Sequence, residues 1–279
     1  MLVIANAEAG TADGLEDALE VLDCEVARTE SPEELDDVVR RDRFLVVAGG
    51  DGSLHAVVAA LHRGELLEST TIGLVPLGTG NDFARGAGIP TDPADAARLV
   101  LSGSAARVDL LVDDAGGVVV NNVHVGAGAE AARAARPWKK ALGPIGYAIG
   151  AAITAVRPPT LRLRVTVDGV VVSDRATLQV AVGNAPYVGG GTSLTPEADP
   201  SDGQLDVMLS HALSPIARAA YALRLRKGEH HHGADVRYLR GTSVTVEGEP
   251  FHLSADGEIA GPLDRRTWTL RPGALTLVR

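Results

Sequence analysis

The chain has 279 residues, 45% of them hydrophobic, enough apolar material for two cores or one large one in a globular protein. A formal charge of −10 argues against nucleic acid as a partner, since phosphate backbones are held by concentrated Lys and Arg. The single cysteine, Cys24, excludes an intramolecular disulfide and a cysteine-based zinc site and reads as core filler.

The first hundred residues alternate strand and helix signals. Leu2 to Ala5 is a short apolar strand ending at Asn6, and Leu15, Ala18, Leu19 and Leu22 mark one helix face. A strand follows around Glu25 to Arg28. Ser31-Pro32-Glu33-Glu34 supplies a cap, a first-turn proline and a capping-box carboxylate, with Leu35, Val38 and Val39 as the buried stripe behind them. The run Phe44 to Ala48 is apolar throughout, as expected of a strand covered on both faces of a parallel sheet, and it stops in Gly49-Gly50-Asp51-Gly52-Ser53. Leu54, Val57, Val58 and Leu61 then take up helical spacing, so the glycines occupy a strand-to-helix turn. Glycine allows close backbone approach, and a helix N-terminus favours an anion.

A second buried strand, Thr71 to Val75, runs into Pro76-Leu77-Gly78-Thr79-Gly80-Asn81-Asp82-Phe83-Ala84-Arg85. Two glycine-rich turns at carboxyl ends of parallel strands face one crevice. Asp92-Pro93 opens another helix through Leu101. Repeated strand-helix units imply a parallel sheet covered by helices.

After about Ala106 the rhythm changes. Arg162 to Val167 alternates, Asp168-Gly169 is a hairpin turn, and Val170 to Val172 begins the return strand. Leu178 to Val182, Leu205 to Leu209, Thr242 to Glu247 and Thr267 to Leu270 extend the β character, with helices expected near 145–156 and 215–226. The expected architecture is an N-terminal α/β domain with a parallel sheet and a C-terminal, mainly antiparallel β-sandwich domain. The apolar stretch 147–156 is too short to cross a bilayer, and the N-terminus lacks a basic region followed by an apolar segment, so a cytoplasmic, unanchored protein is expected. Arg133, Arg136, Lys139 and Lys140, and again Arg218, Arg224, Arg226 and Lys227, form basic clusters; these read as solvated helix faces, with weak contact to an anionic membrane as the second reading.

Taken together the motifs resemble the diacylglycerol-kinase catalytic superfamily, and within it the soluble bacterial lipid kinases. Gly49 to Ser53 is similar to the family's nucleotide turn, and Gly78 to Arg85 to its second, more diagnostic motif. Asn121 with Gly126, Gly189-Gly190-Gly191, Pro196, Asp202-Gly203-Gln204-Leu205-Asp206 and Asp256-Gly257-Glu258 follow in the family's order. The resemblance implies phosphoryl transfer from ATP to a lipid hydroxyl, with the nucleotide between the two domains. It divides the chain into a nucleotide-binding unit of residues 1–106 plus a returning tail of about 270–279, and a lipid-substrate unit of 107–269. It further implies magnesium, a lipid alcohol presented at the inner membrane surface, and a homodimer.

The resemblance also distributes roles. Asn6, Gly10, Thr29 and Thr79 match positions around the nucleotide, and Asn81 belongs to the same motif; simple turn chemistry explains Asn6 and Thr29 equally well. No P-loop lysine signature is present, so amides at Gly50, Gly52 and Ser53 are expected to cradle phosphate, with Asp51 and Asp82 on the catalytic magnesium. Asp256 and Glu258 lie two apart and, if extended, project to one side of the chain. The resemblance assigns proton acceptance to this element, with Glu258 as the base and Asp256 orienting it or touching the metal. Asp202, with the carbonyls of Asp199 and Gln204, matches a structural magnesium site, and a β-turn is the competing reading. His230-His231-His232 reads as a solvated loop. The chain departs from the family pattern at Ala7, where proline is usual, at His55 and Ala56, where Asn and Glu are common, and at Gly128, where an acid is expected. A kinase for another lipid alcohol or for NAD, and a nucleotide-binding regulator without catalysis, remain the alternatives.

Overall fold

The computed structural model describes residues 1–6, 12–133 and 160–279; Gly10, the helix expected near 145–156, and Arg136, Lys139 and Lys140 lie outside them. Four parallel strands open the fold: β1 (Leu2–Asn6), β2 (Glu25–Thr29), β3 (Phe44–Gly49) and β4 (Thr71–Pro76), ordered β4-β3-β1-β2. Helices α1 (Ala12–Leu22), α2 (Pro32–Val38), α3 (Asp51–Arg63) and α5 (Pro93–Ser102) connect or flank them, and the short α4 (Asp82–Gly86) follows β4. Local chemistry sets their starts. The Ser31 side chain accepts from the Glu34 amide at 3.2 Å, and Asp92 accepts from Asp95 at 2.9 Å, each directly before a first-turn proline. Glu34 reaches back as expected of a capping box, although it accepts from the amide of Glu30 rather than from the cap residue itself.

The second half is mainly antiparallel. It contains β5 (Ala105–Asp113), β6 (Val118–Val119), β7 (Asn122–Gly126), β8 (Leu161–Val167), β9 (Val170–Thr177), β10 (Gln179–Gly183), β11 (Tyr187–Val188), β12 (Thr192–Ser193), β13 (Leu205–Ser210), β14 (Val236–Gly241), β15 (Ser243–Ala255) and β16 (Glu258–Val278), with α6 (Pro215–Lys227) between β13 and β14. Residues 127–133 are also helical. The last two strands far exceed the segments expected from the sequence. Beyond Glu247, β15 continues through two register shifts against β16, and β16 continues past a shift between Arg271 and Leu275. Bulges of this kind break the alternation that identifies a strand in sequence.

Strand β16 joins the halves. Its first part pairs with β15, its last part pairs antiparallel with β5, and Thr276 and Leu277 pair parallel with Thr71 and Ile72 of β4. The sheet is therefore continuous from β14 to β2. One core fills the space between the parallel strands and their helices, around Val46, Leu61, Ile72 and Leu277; a second, around Phe251 and Trp268, fills the antiparallel half. A third, smaller core lies under α6. Asp109, buried on β5, accepts from the Gly203 amide at 2.8 Å and the Gly273 amide at 2.6 Å, tying the turn before β13 to the bend in β16.

Candidate active site

The two glycine turns pack against each other. Gly50 precedes α3 in an extended conformation, and a Cβ on it would stand 3.0 Å from the Gly78 Cα; a Cβ on Gly78 would stand 2.6 Å from the Gly50 Cα. Glycine at these two positions is thus required by backbone-to-backbone approach between β3 and β4. Gly52 differs, since nothing lies within 4 Å of a Cβ placed there. Of the amides expected to cradle phosphate, that of Ser53 is engaged by the Gly50 carbonyl at 3.0 Å, and Gly52 presents the open side of the helix N-terminus. Gly52 and Ser53 border a cavity of about 320 Å³ that also takes in Thr29, His55 and Ala56, with Ile4, Val47 and Leu35 supplying apolar wall. Its size and mixed lining suit a small organic ligand with an anionic end near α3.

Asp51 and Asp82 meet beside Gly80, each with an oxygen within about 3.3 Å of where a Gly80 Cβ would be. The Asp51 carboxylate accepts from the amides of Asp82 at 3.1 Å and Phe83 at 3.0 Å, which caps α4. Asp82 in turn accepts from Gly190 at 2.9 Å and Gly191 at 2.7 Å, in the loop between β11 and β12. Burial lifts the Asp82 pKa, and the neighbouring Asp51 charge adds to the rise against the pull of the two amides. Two adjoining carboxylates, one held reluctantly ionised, fit a hard divalent cation such as magnesium. Asn81 sits in the left-handed region at φ 51°, with its amide group bonded both ways to the backbone of Gly78 at 2.8 and 2.9 Å. It shapes the turn. Thr79 lies in the same turn, and Asn6 closes β1.

Asp256 and Gly257 form a two-residue hairpin turn between β15 and β16, at φ 47° and 88°, rather than an extended segment. Asp-Gly is favoured there because both positions need positive φ. The Asp256 carboxylate is filled. Oδ1 accepts from the amides of Asn121 at 2.9 Å and Asn122 at 3.1 Å, while Oδ2 accepts from Val120 at 2.7 Å and from His55 Nδ1 at 2.9 Å. His55 belongs to α3, so this bond links the hairpin to the helix that starts at the glycine turn. The bond to Asp256 raises the His55 pKa against the opposing effect of burial, and the Glu258 charge contributes. Glu258 itself is exposed at the first position of β16.

Asp199, Asp202 and Gln204 sit together before β13. The Asp199 carboxylate accepts from the Ser201 amide at 3.0 Å, and that of Asp202 accepts from the Gln204 amide at 3.0 Å and pairs with Arg240. Arg240 supplies the positive charge that a cation on Asp202 would bring, so magnesium at this turn has to displace it. Asp206, two residues on, is fully buried, with the Tyr238 hydroxyl beside it and Arg240 Nε 3.7 Å away. Burial pushes its pKa up to about 6. Among the described residues no group of three or more His, Cys, Asp or Glu side chains is placed to hold a metal. His230 to His232 form a short 3-10 turn that is solvated only in part: His232 is exposed, whereas His230 is fully buried and its Nε2 bonds the Leu194 carbonyl at 2.8 Å.

Three contributors quoted from the sequence take parts that it does not assign them. His55 stood out only as a departure from a pattern, and nothing local pairs it with a residue 201 positions away. The amides of Gly190 and Gly191 were signalled by the glycine run, whose three members all take positive φ. Asp206 was signalled by a carboxylate inside the otherwise apolar run of β13.

Comparison with known proteins agrees with this architecture. Residues 1–112 match the diacylglycerol kinase catalytic domain, and residues 121–279 match the YegS C-terminal NAD kinase beta sandwich-like domain. A diacylglycerol kinase of Mycobacterium tuberculosis is 31% identical over 84% of this chain and 76% of its own length. A YegS-like lipid kinase of Stenotrophomonas maltophilia is 36% identical over 66% of this chain, and the match spans 61% of that protein, less than two thirds of it. The crystal structure of a diacylglycerol kinase from Bacillus anthracis superposes with a TM-score of 0.79 at 24% identity, covering 99% of this chain and 96% of that one. An NAD kinase from Archaeoglobus fulgidus in complex with ATP gives 0.55 at 17%, covering 100% and 93%, and at such identities both likenesses speak for the fold alone. The chain therefore belongs to the diacylglycerol kinase family, in the branch whose catalytic domain is joined to a YegS-type beta sandwich-like domain.

Proposed function

We propose that the protein transfers the γ-phosphoryl group of ATP to the hydroxyl of a lipid alcohol, diacylglycerol first, giving phosphatidic acid. One observation carries the reading: His55, one turn beyond the glycine turn, is bonded to the Asp256-Gly257-Glu258 hairpin, so an exposed carboxylate stands beside a helix N-terminus suited to phosphate. In this reading Thr29, Gly49, Gly50, Gly52 and Ser53 surround the nucleotide with Asn6, Gly10 and Thr79, and Asn81 keeps the second turn in shape. Glu258 takes the proton of the lipid hydroxyl as its oxygen bonds to the γ-phosphorus and the bond to the ADP oxygen breaks. Asp256, with both oxygens occupied, is a positioning residue. Magnesium, when bound at Asp51 and Asp82, neutralises charge developing on the phosphates. The nucleotide unit comprises residues 1–106 with the tail from about 270, and 107–269 receives the acceptor. Among the described residues no helix is long and apolar enough to cross a membrane. The reading has a peripheral protein, dimeric as the family resemblance implies, meeting its lipid at the inner membrane surface.

Incubation with labelled ATP and a panel of lipid alcohols, NAD and water tests this. Label is expected in a lipid alone; label in NAD or only in free phosphate overturns it, as does calorimetric ATP binding with no transfer to any acceptor. Glu258→Gln is expected to lower turnover by roughly 10² or more, the scale of a lost acid-base group.

A further inference from the structure

Helix α6 presents an outward face that stays exposed among the described residues. Ile216 is 83% exposed and Leu223 is 64% exposed, with Leu213 just before the helix at 39%. Ile216, Ala220, Leu223 and Lys227 recur at the spacing of one helix face, so the two large apolar side chains form a single stripe. By the same geometry Arg224 and Arg226 flank that stripe on opposite sides. Residues 215–227 contain no acidic side chain, although the chain as a whole carries a charge of −10, and Arg224, Arg226 and Lys227 make no ion pair among the described residues. The helix is well formed by local signals and by its inner face. Ser214 caps it through the Ala217 amide at 3.1 Å, Gly228 ends it at φ 73°, and Tyr221 and Leu225 fix its inner face to the core beneath.

We propose that this face of α6 docks the protein on the surface of an anionic lipid bilayer. The inference deepens the lipid-kinase reading and rests on it for the reason a bilayer must be met. An apolar stripe flanked by long basic side chains is suited to an interface, where Ile216 and Leu223 enter the acyl boundary while the arginine and lysine heads stay with the phosphates. Charge selects the occupant. A second copy would set the same cations against one another, whereas an anionic leaflet attracts each of them. The face is also connected to the site. The end of α6 lies against Ser193 of β12, and the loop joining β11 to β12 supplies the Gly190 and Gly191 amides that hold Asp82. The Asn121 and Asn122 side chains, beside the amides that bind Asp256, both donate to the Tyr187 carbonyl of that hairpin at 3.0 Å. Docking on α6 thus sets the bilayer one hairpin away from the cleft.

The test uses the full chain, without nucleotide, sedimented with vesicles of phosphatidylcholine alone or mixed with phosphatidylglycerol. Binding is expected to the mixed vesicles and to weaken as salt is added. The double variants Ile216→Ser with Leu223→Ser and Arg224→Glu with Arg226→Glu are each expected to lower that binding about tenfold or more, with transfer to a dispersed short-chain diacylglycerol unchanged. Undiminished vesicle binding by both variants overturns the proposal, and so does a changed oligomeric state in light scattering, which would mean a second copy covers the face. A wild-type protein that labels dispersed lipid but ignores vesicles overturns docking and leaves the kinase reading standing. One that binds vesicles through α6 but labels no lipid supports the docking face and overturns the kinase reading.

Discussion

Asp256 accepts four hydrogen bonds through two oxygens, from three successive backbone amides and an imidazole, and that sets what its replacement does. In Asp256→Asn the new NH₂ group must face donors, leaving at least one buried amide without an acceptor at about 1–3 kcal/mol. The variant is expected to be destabilised as well as slowed, and chemical denaturation separates the two effects. The same change removes the main cause of the raised His55 pKa. The His55 titration midpoint, followed by NMR, is therefore expected to fall in Asp256→Asn and to stay raised in Glu258→Gln; a larger fall in Glu258→Gln than in Asp256→Asn would mean that Glu258 is the partner that matters. None of this pairing was legible in sequence, because a contact between α3 and the β15–β16 turn is fixed by the return of a distant strand.

The paired glycine turns make a contrast at the level of elements. Gly78→Ala drives a Cβ to 2.6 Å from backbone of the other turn, which no side-chain rotation relieves, while Gly52→Ala meets nothing within 4 Å. Gly78→Ala is expected to lower the urea midpoint clearly, and Gly52→Ala to leave it near wild type while raising the KM for ATP; a Gly52→Ala protein with unchanged KM removes that amide from the nucleotide site. The strand-to-helix turns themselves were readable because their signals are local: an apolar run, glycines, then residues at helical spacing. Their reason was half hidden. Sequence suggested glycine for ligand approach, and the fold uses Gly50 and Gly78 to bring two turns together. Strands β15 and β16 show the opposite limit, since their register shifts and the glycines at 248, 261 and 273 interrupt the alternation a reader relies on. The hairpin at Asp168-Gly169, with no such interruption at its turn, was found where the sequence put it.

Across the whole molecule, buried ionisable groups tie stability to pH. The Asp206 pKa is raised from 3.8 to about 6, so its neutral form contributes stability that is complete below 3.8 and lost as pH rises through 6. Relative to wild type, Asp206→Asn is expected to gain in denaturation midpoint as pH is raised from 4 to above 6; a difference independent of pH would mean that Asp206 stays ionised. If magnesium binds beside it, at Asp199, Asp202 and Gln204, the added ion is expected to stabilise wild type more than the variant. Leu277→Ala probes the other long-range tie: its side chain is fully buried where β16 meets β4, and its loss is expected to cost about 2–5 kcal/mol, seen as one cooperative shift rather than separate melting of the two halves. That same tie has a consequence for how the protein is made. Strand β4 emerges early in synthesis, yet its neighbour on one side is the stretch around Thr276 and Leu277, more than two hundred residues later. A ribosome can release the first hundred residues with their helices formed, but the parallel sheet keeps an open edge until the end of β16 arrives. For most of translation that edge has to be shielded by something other than the protein's own fold.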